Sequence, residues 1–318
     1  MGHTKVSACP PVTILLSTWN GSAFLDEQLR SIEGQIYNNW RFVLRDDGSN
    51  DDTVNKLHRF RDTWPDRVQI LEDSYGRVGP TRSFSLLLEA TDAPYLMFCD
   101  QDDVWLPEKI KSTLDYMLEL EVTYGGETPL LVHTDLQVID DRCALVARSF
   151  WKYGRLNPIR GTALNRLIMK SCVTGNTIMI NRALRDYALP FPEYIAMYDW
   201  WLALVATLVG RVGGLPEQTV LYRQHGGNIV GFERWPWNFW RAVTTARSTV
   251  RTLLDVRSMQ AAMLLERFSE RPDDSDRELL TLVAGLTSCD FISLRYHMLK
   301  NNLFTYDPMK NLLYFLFA

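Results

Sequence analysis

Four short apolar runs alternate with helical patterning over the first hundred residues, and this alternation restricts the fold more than anything else in the chain. Residues 12–17, 42–45, 68–71 and 95–99 read as strands. Between the first two, Phe24, Leu25, Leu29 and Ile32 recur at helical spacing. Residues 53–60 and 80–90 read as helices, the second with a proline early, where its missing N–H is not needed. A β-α-β-α-β-α-β series predicts a mainly parallel sheet with right-handed crossovers. Further on, 130–133, 135–139, 177–180 and 220–222 read as strands and 165–170 as a helix. Residues 199–209 are apolar nearly all round, which predicts a buried helix.

The fourth run, rich in aromatic and aliphatic side chains, is followed at once by Asp100, Asp102 and Asp103, and Leu106-Pro107 then opens a helix. Carboxylates are thereby gathered just beyond the carboxyl end of a buried strand, the edge at which open α/β sheets bind ligands. Asp-X-Asp oxygens suit Mg2+ or Mn2+ already carrying a diphosphate. Taken alone, the same residues would serve as an acidic turn capping the next helix. The first two strands also run into small polar and acidic residues, Ser17-Thr-Trp-Asn-Gly21 and Asp46-Asp-Gly-Ser49. Three such strand ends at one sheet edge favour a binding site.

Composition removes several classes. A formal charge of −4 argues against binding nucleic acid through bulk charge. Five scattered cysteines, without a Cys-x-x-Cys pair, fit a reducing compartment rather than zinc or a disulfide framework. The first residues have no apolar core of a signal peptide, and the longest apolar run, 200–210, is about half of what a membrane-spanning helix needs. A cytoplasmic protein is expected. From residue 234 the composition changes: seven arginines face three acids up to residue 271, with Trp235, Trp237, Phe239 and Trp240 at the start. A boundary is placed near Gly231. It separates a catalytic domain, 1–231, from a helical carboxyl-terminal region, 232–318, broken at 271–275.

Together, Ser17-Thr-Trp-Asn-Gly21, Asp46-Asp-Gly-Ser49, Cys99-Asp-Gln-Asp-Asp-Val-Trp105, Asp199-Trp-Trp201 and Tyr222-Arg-Gln-His-Gly-Gly-Asn228 resemble glycosyltransferase family 2, the inverting GT-A enzymes. The resemblance covers roughly residues 10–231, and the third motif is similar to the rhamnosyltransferase-like bacterial branch. It implies an α/β GT-A fold, a mainly parallel sheet flanked by helices with a helical carboxyl-terminal extension. Residues 10–107 would bind the nucleotide sugar and 108–231 would form the acceptor and catalytic half.

The resemblance also implies roles. Ser17, Trp19 and Asn20 would lie near the nucleotide base, and Asp47 would accept a hydrogen bond from its ring N–H, with Asp46 as a structural neighbour. Arg82 would reach base or phosphate, and Arg223 a phosphate. Asp100 would lie near ribose and metal, Asp102 would ligate the metal directly, and His225 would approach metal or diphosphate. Asp103 would stand behind them. Asp199 would be the base that deprotonates the acceptor hydroxyl, with Glu193 in reserve. Helix capping would lower the Asp199 pKa, whereas desolvation by Trp200 and Trp201 would raise it. These two indoles and Asn228 would face the acceptor.

The implied reaction is metal-dependent transfer of a sugar, rhamnose from dTDP-rhamnose in the first instance, to a hydroxyl of a bacterial surface glycan such as O-antigen or capsule. UDP-galactose, UDP-glucose or UDP-GlcNAc are alternative donors. A nucleotidyltransferase would want a phosphate loop rich in glycine and basic residues after the first strand, which is missing. A non-catalytic carbohydrate- or nucleotide-binding scaffold would be expected to lose Asp100, Asp102 and Asp199, which are present. The carboxyl-terminal aromatics and arginines suit the inner face of the cell membrane. Packing on the catalytic domain, or homodimer formation through 312–317, would use the same side chains.

Overall fold

A computed structural model describes residues 9–226, 239–270, 273–306, 311–312 and 315–316, with the backbone alone for 239–249. The amino-terminal half follows the alternation read from the sequence: β1 (Val12–Thr18), α1 (Leu25–Glu33), β2 (Trp40–Asp46), α2 (Thr53–Thr63), β3 (Val68–Ile70), α3 (Pro80–Glu89) and β4 (Tyr95–Cys99). Then come β5 (Val104–Trp105), α4 (Lys109–Tyr124), β6 (Leu130–Asp140), β7 (Leu145–Ala147), α5 (Phe150–Tyr153) and α6 (Leu164–Leu167). A 3-10 turn at Gly175–Thr177 leads into β8 (Ile178–Asn181), α7 (Arg182–Ala188), α8 (Tyr198–Val209) and β9 (Arg211–Gln224). The described carboxyl-terminal helices are α9 (Phe239–Arg267), α10 (Asp274–Ala284) and α11 (Phe291–Lys300).

The nine strands among the described residues form one sheet in the order β3-β2-β1-β4-β8-β6-β9-β5, with β7 on β6. The first four pair in parallel, as do β6 and β9; the remaining ladders are antiparallel. The sheet is thus mixed and mostly parallel, GT-A-like, with helices on both faces. Central strands are buried on both sides because alternate residues enter different cores. Leu15, Leu96 and Phe98 face the core that also holds α3 and α8, whereas Ile14, Leu16, Met97 and Cys99 face that of α1 and α4.

Three differences from the sequence reading bear on the site. The runs at 130–133 and 135–139 are one strand, β6, whose register against β9 slips around Asp135. β9 begins nine residues before the short run at 220–222 that announced it. The helix expected at Leu106-Pro107 starts at Lys109, and β5 comes first, pairing Val104 with Leu221 and Trp105 with Val220. That two-residue ladder brings the end of β9 beside the acidic turn.

The carboxyl-terminal helices complete the α8-side core. Val250, Leu254, Leu264 and Phe268 of α9, Leu280 and Val283 of α10, and Leu294 and Met298 of α11 belong to the same buried cluster as Trp201 to Ala206. Arg257 donates to the Met169 carbonyl, and Arg267 donates to the carbonyls of Tyr187, Leu189 and Pro190. Asp273 and Asp290 cap α10 and α11, accepting backbone N–H groups of the first turns. The expected boundary near Gly231, with Arg234, Trp235 and Trp237, lies outside the described residues.

Candidate active site

On the nucleotide side the ends of β1 and β2 are tied together. Thr18 Oγ1 donates to Asp46 Oδ1 at 2.9 Å, and Asp46 Oδ2 accepts the N–H groups of Gly48 and Ser49. Asp46 thereby holds the turn after β2. Asn20, at φ 48°, donates its N–H to Ser49 and accepts from the Asn50 N–H. Gln101 clamps the Trp19 backbone from the acidic turn, accepting from its N–H at 2.8 Å and donating to its carbonyl at 3.0 Å. Gly21 leaves room for that clamp: a Cβ there would fall 2.2 Å from Gln101 Oε1. The exposed Trp19 ring is covered by the Arg77 guanidinium, 3.6 Å from its centroid.

Asp47 is buried and accepts from Arg45 at 2.7 Å, from the Val78 N–H at 2.7 Å and from the Gly79 N–H at 2.8 Å. Arg45 also reaches Asp73, Ser83 and the Gly76 carbonyl, and its hydrogen bond, with smaller help from the Tyr75 N–H and the Arg45 charge, holds the Asp73 carboxyl below the usual range. Ser17 donates to Ser83 at 2.7 Å. In this arrangement segment 73–79 lies over the β2 end. Arg82 runs along α3 to Glu89 and Ser85 instead of turning to a nucleotide, because those acceptors lie seven and three residues along the same helix.

At the acidic turn the carboxylates divide. Asp103 is fully buried, accepting from the Asn176 amide and, at 3.0 Å, from the Arg223 N–H. Burial, then the Asp102 charge, raises its pKa to about 7. Asp100 is pushed well above the carboxylate range by desolvation, then by Asp103, Asp102 and Asp199. Buried Lys109, whose own pKa desolvation lowers to about 7, is held near these acids, with its ammonium over Trp105. Arg223 does not offer its guanidinium to a phosphate. It is buried as a strut, donating to Glu27 at 2.6 Å, to the Asp102 carbonyl at 3.0 Å and to Cys143.

The three expected metal ligands do not assemble as a triad: among the described residues, no three His, Cys, Asp or Glu side chains form a group that could hold a metal. Two of them do meet. His225 Nε2 lies 2.9 Å from Asp102 Oδ2, its ring stacked on Phe24. One carboxylate and one imidazole, next to an Asp100 whose proton affinity burial and the neighbouring acids raise, suit an ion that takes its other ligands from a diphosphate and water.

Asp199 stands across from this turn, close enough to contribute to the Asp100 shift. It lies in the first turn of α8, after the N-cap residue Met197, and it accepts the Trp200 N–H at 2.7 Å and the Gly175 N–H. Those bonds lower its pKa, yet desolvation prevails and raises it to about 6. Tyr198, packed on Phe84 and Phe98, fixes the helix start. Its hydroxyl meets Gly175 so closely that a Cβ there would be 2.1 Å away. Glu193 is exposed and hydrogen-bonded to Tyr194.

The two indoles differ. Trp201 is fully buried, its N–H donated to the Ala188 carbonyl at 3.1 Å, so it presents no face to an acceptor. The apolar residues around it on α8 draw it into the core. Trp200 is half-buried, donating to the Leu167 carbonyl at 2.7 Å and lying against Arg257. Asn228 lies outside the described residues. Sequence reasoning passed over Gln101, Arg77, Asn176 and Lys109. Asn176 sits in a Thr-Gly-Asn turn before a strand, which is a readable signal, but Lys109 looks like any lysine opening a helix.

Residues 13–127 match the Glycosyl transferase family 2 model. The chain is 26% identical over 224 residues to a dTDP-rhamnosyl transferase, RfbG, of Shigella flexneri, covering 68% of this chain and 73% of that protein. It is 22% identical over 191 residues to WfgD of Escherichia coli, a UDP-Glc:alpha-D-GlcNAc-diphosphoundecaprenol beta-1,3-glucosyltransferase, covering 59% and 68% respectively. Among solved structures, S. aureus TarS 1-349 in complex with UDP-GlcNAc superposes with a TM-score of 0.56 at 15% identity, covering 96% of this chain and 89% of that one. The mannosyltransferase PcManGT of Pyrobaculum calidifontis, in complex with GDP-Man and Mn2+, gives 0.52 at 16% identity, covering 96% and 88%. The match to the Glycosyl transferase family 2 model thus covers β1 to β4 and the acidic turn, and the solved structures share the mixed, GT-A-like sheet.

Proposed function

We propose that the chain is an inverting transferase that moves a sugar from a nucleoside diphosphate donor to a hydroxyl of a lipid-linked bacterial surface glycan. Rhamnose from dTDP-rhamnose is the first donor to test and UDP-glucose the second, following the names of the relatives in Shigella flexneri and Escherichia coli. The reading rests on one observation: a partly desolvated Asp199 faces an acidic turn at one sheet edge, with different proton affinities on the two sides.

In the proposed reaction the acceptor oxygen attacks the anomeric carbon as its proton passes to Asp199. The bond from that carbon to the phosphate oxygen breaks, and its electron pair leaves with the nucleoside diphosphate. Asp102 and His225 would hold Mg2+ or Mn2+, which when bound neutralises charge on the departing diphosphate. Ser17, Trp19 and Asn20 would form the base side. Asp47 Oδ2, which accepts only the Gly79 N–H, would have a lone pair left to read the base N–H. Trp200 remains the acceptor-side aromatic.

Incubating the purified chain with Mn2+ and a panel of nucleotide sugars tests this. Release of dTDP or UDP, accelerated by a polyprenyl diphosphate-linked sugar, is expected; no release from any donor overturns it. In the same assay Asp102→Ala should weaken Mn2+-dependent donor binding about tenfold or more, the loss of one ligand. An unchanged affinity would refute the ligand assignment.

A further inference from the structure

The cavity between α5 and β9, about 570 Å3 in volume, is lined by Arg148, Ser149, Lys152, Tyr153 and Gln218. None of these residues belongs to the carboxylate cleft. Arg148 and Lys152 are exposed within it and form no ion pair among the described residues. The lining residues include two cations and no acid, which makes this hollow locally electropositive on a chain with a net charge of −4.

The cavity is held by a buried anchor. Asp135, 2% exposed, accepts from Ser149 Oγ at 2.5 Å, from the Trp151 N–H at 3.0 Å and from Gln218 Nε2 at 2.9 Å. One carboxylate thus ties the α5 wall to the β9 wall. These bonds occupy the Ser149 hydroxyl and an amide proton of Gln218, so the charged donors left for a ligand are the Arg148 guanidinium and the Lys152 ammonium.

Strand register sets this cavity beside the proposed catalytic edge. β6 pairs with β8 up to His133 against Ile178, so its next residues, toward Asp135, run alongside the Gly175–Thr177 turn. That turn supplies the Gly175 N–H to Asp199 and the Asn176 amide to Asp103. On the other side, β9 carries Gln218 into the cavity and, five residues later, Arg223, whose N–H holds Asp103.

We propose that this cavity binds the phosphoryl group of the acceptor, a diphosphate that links the growing sugar to its lipid. Guanidinium binds phosphate oxygens through paired N–H groups, and ammonium adds a point charge. Two free cations match two phosphoryl groups, and the volume accommodates the attached sugar. The proposal rests on the transferase reading and adds to it the side chains that hold the acceptor's diphosphate.

The test uses the full chain with a chelator present, so that metal-dependent donor binding is silent, and titrates inorganic pyrophosphate by calorimetry at low salt. Binding to the wild type is expected, about tenfold weaker in Arg148→Ala/Lys152→Ala, a modest figure for losing two charge-assisted contacts. Equal affinity in the double variant, at an unchanged thermal midpoint, overturns the proposal, and so does no binding to the wild type. A short-chain polyprenyl diphosphate-linked sugar should then displace pyrophosphate, whereas the methyl glycoside of the same sugar should not. If the lipid-linked sugar fails to displace it, the cavity is a free-phosphate site and the acceptor assignment falls. Nucleotide release from sugar donors by the wild type is measured separately. Its absence, with pyrophosphate binding intact, sinks the transferase reading and not the phosphate site.

Discussion

Asp199 is under two opposing influences, and their balance makes a test. Backbone N–H groups of Trp200 and Gly175 favour its charged form, and desolvation disfavours it more, leaving a pKa of about 6. As the proposed base it must be ionised, so turnover at saturating donor should fall below about pH 6 with unit slope, as a rate profile would show. The stability effect has the opposite sense. The folded-state value exceeds the ordinary 3.8, so between those values the native state binds more protons than the unfolded chain, and stability falls as pH rises through the window. Asp199→Asn keeps an amide oxygen for the Trp200 N–H and removes the desolvated charge. At pH 7.5 it should lose about 10² to 10⁴ in turnover, a general base's share, while its thermal midpoint stays level or rises. Wild-type turnover would move the base elsewhere. A lowered midpoint would mean that the carboxylate supports the fold.

Elements β1 to β4 with α1 to α3 were legible because each carries its own period and punctuation: apolar runs of the right length, a proline opening α3, a small polar turn after β1 and acidic turns after β2 and β4. What the sequence hid were features decided by partners. β5 has two residues and no period to read, and β9 runs through Gly213, Gly214 and Pro216, residues that argue against a strand wherever no neighbour is waiting to pair. His133, Thr134 and Asp135 look like a break in β6 until Ser149 and Gln218 satisfy the aspartate. The site was legible as residue types at one edge; what could not be read was which side chains turn inward, since Arg223 and Trp201 are settled by burial around them. The Gly175 turn is the element on which the catalytic side leans. A Cβ there meets Tyr198 at its hydroxyl and, at 2.7 Å, at Cζ, and Tyr198 cannot retreat because Phe84 and Phe98 pack on its ring. Overpacking of this kind costs about 1–3 kcal/mol. Gly175→Ala should therefore lower the thermal midpoint and depress turnover more than donor affinity. Adding Tyr198→Phe should recover part of both. Wild-type turnover and midpoint in Gly175→Ala would show that the turn has slack.

At the scale of the whole molecule, the carboxyl-terminal helices belong to the core that supports α8. Leu254, Leu264, Phe268, Leu280, Val283 and Met298 are buried there, at about 1.5–3 kcal/mol each. That sum rivals the whole stability of an ordinary domain, about 5–15 kcal/mol. Cutting the chain after residue 238 should give insoluble or unfolded protein, as circular dichroism would report; a soluble, cooperatively melting product would make the helices dispensable. The outer side of α11 is another matter. Ile292, Tyr296 and Leu299 recur at helical spacing on one side and are 58–76% exposed, with Lys300 beside them. Among the described residues no helix is long and apolar enough to cross a membrane; the proposed lipid-linked acceptor calls for contact at a membrane surface. The face of α11 suits that contact, with apolar side chains for the acyl boundary and a cation for anionic headgroups. The full chain should float with vesicles containing anionic lipid, and Ile292→Asp/Leu299→Asp should stay in solution with its thermal midpoint unchanged, because exposed positions contribute little to folding. If the face instead joins two copies, light scattering will find a dimer that the same double variant dissociates, with no flotation of either protein.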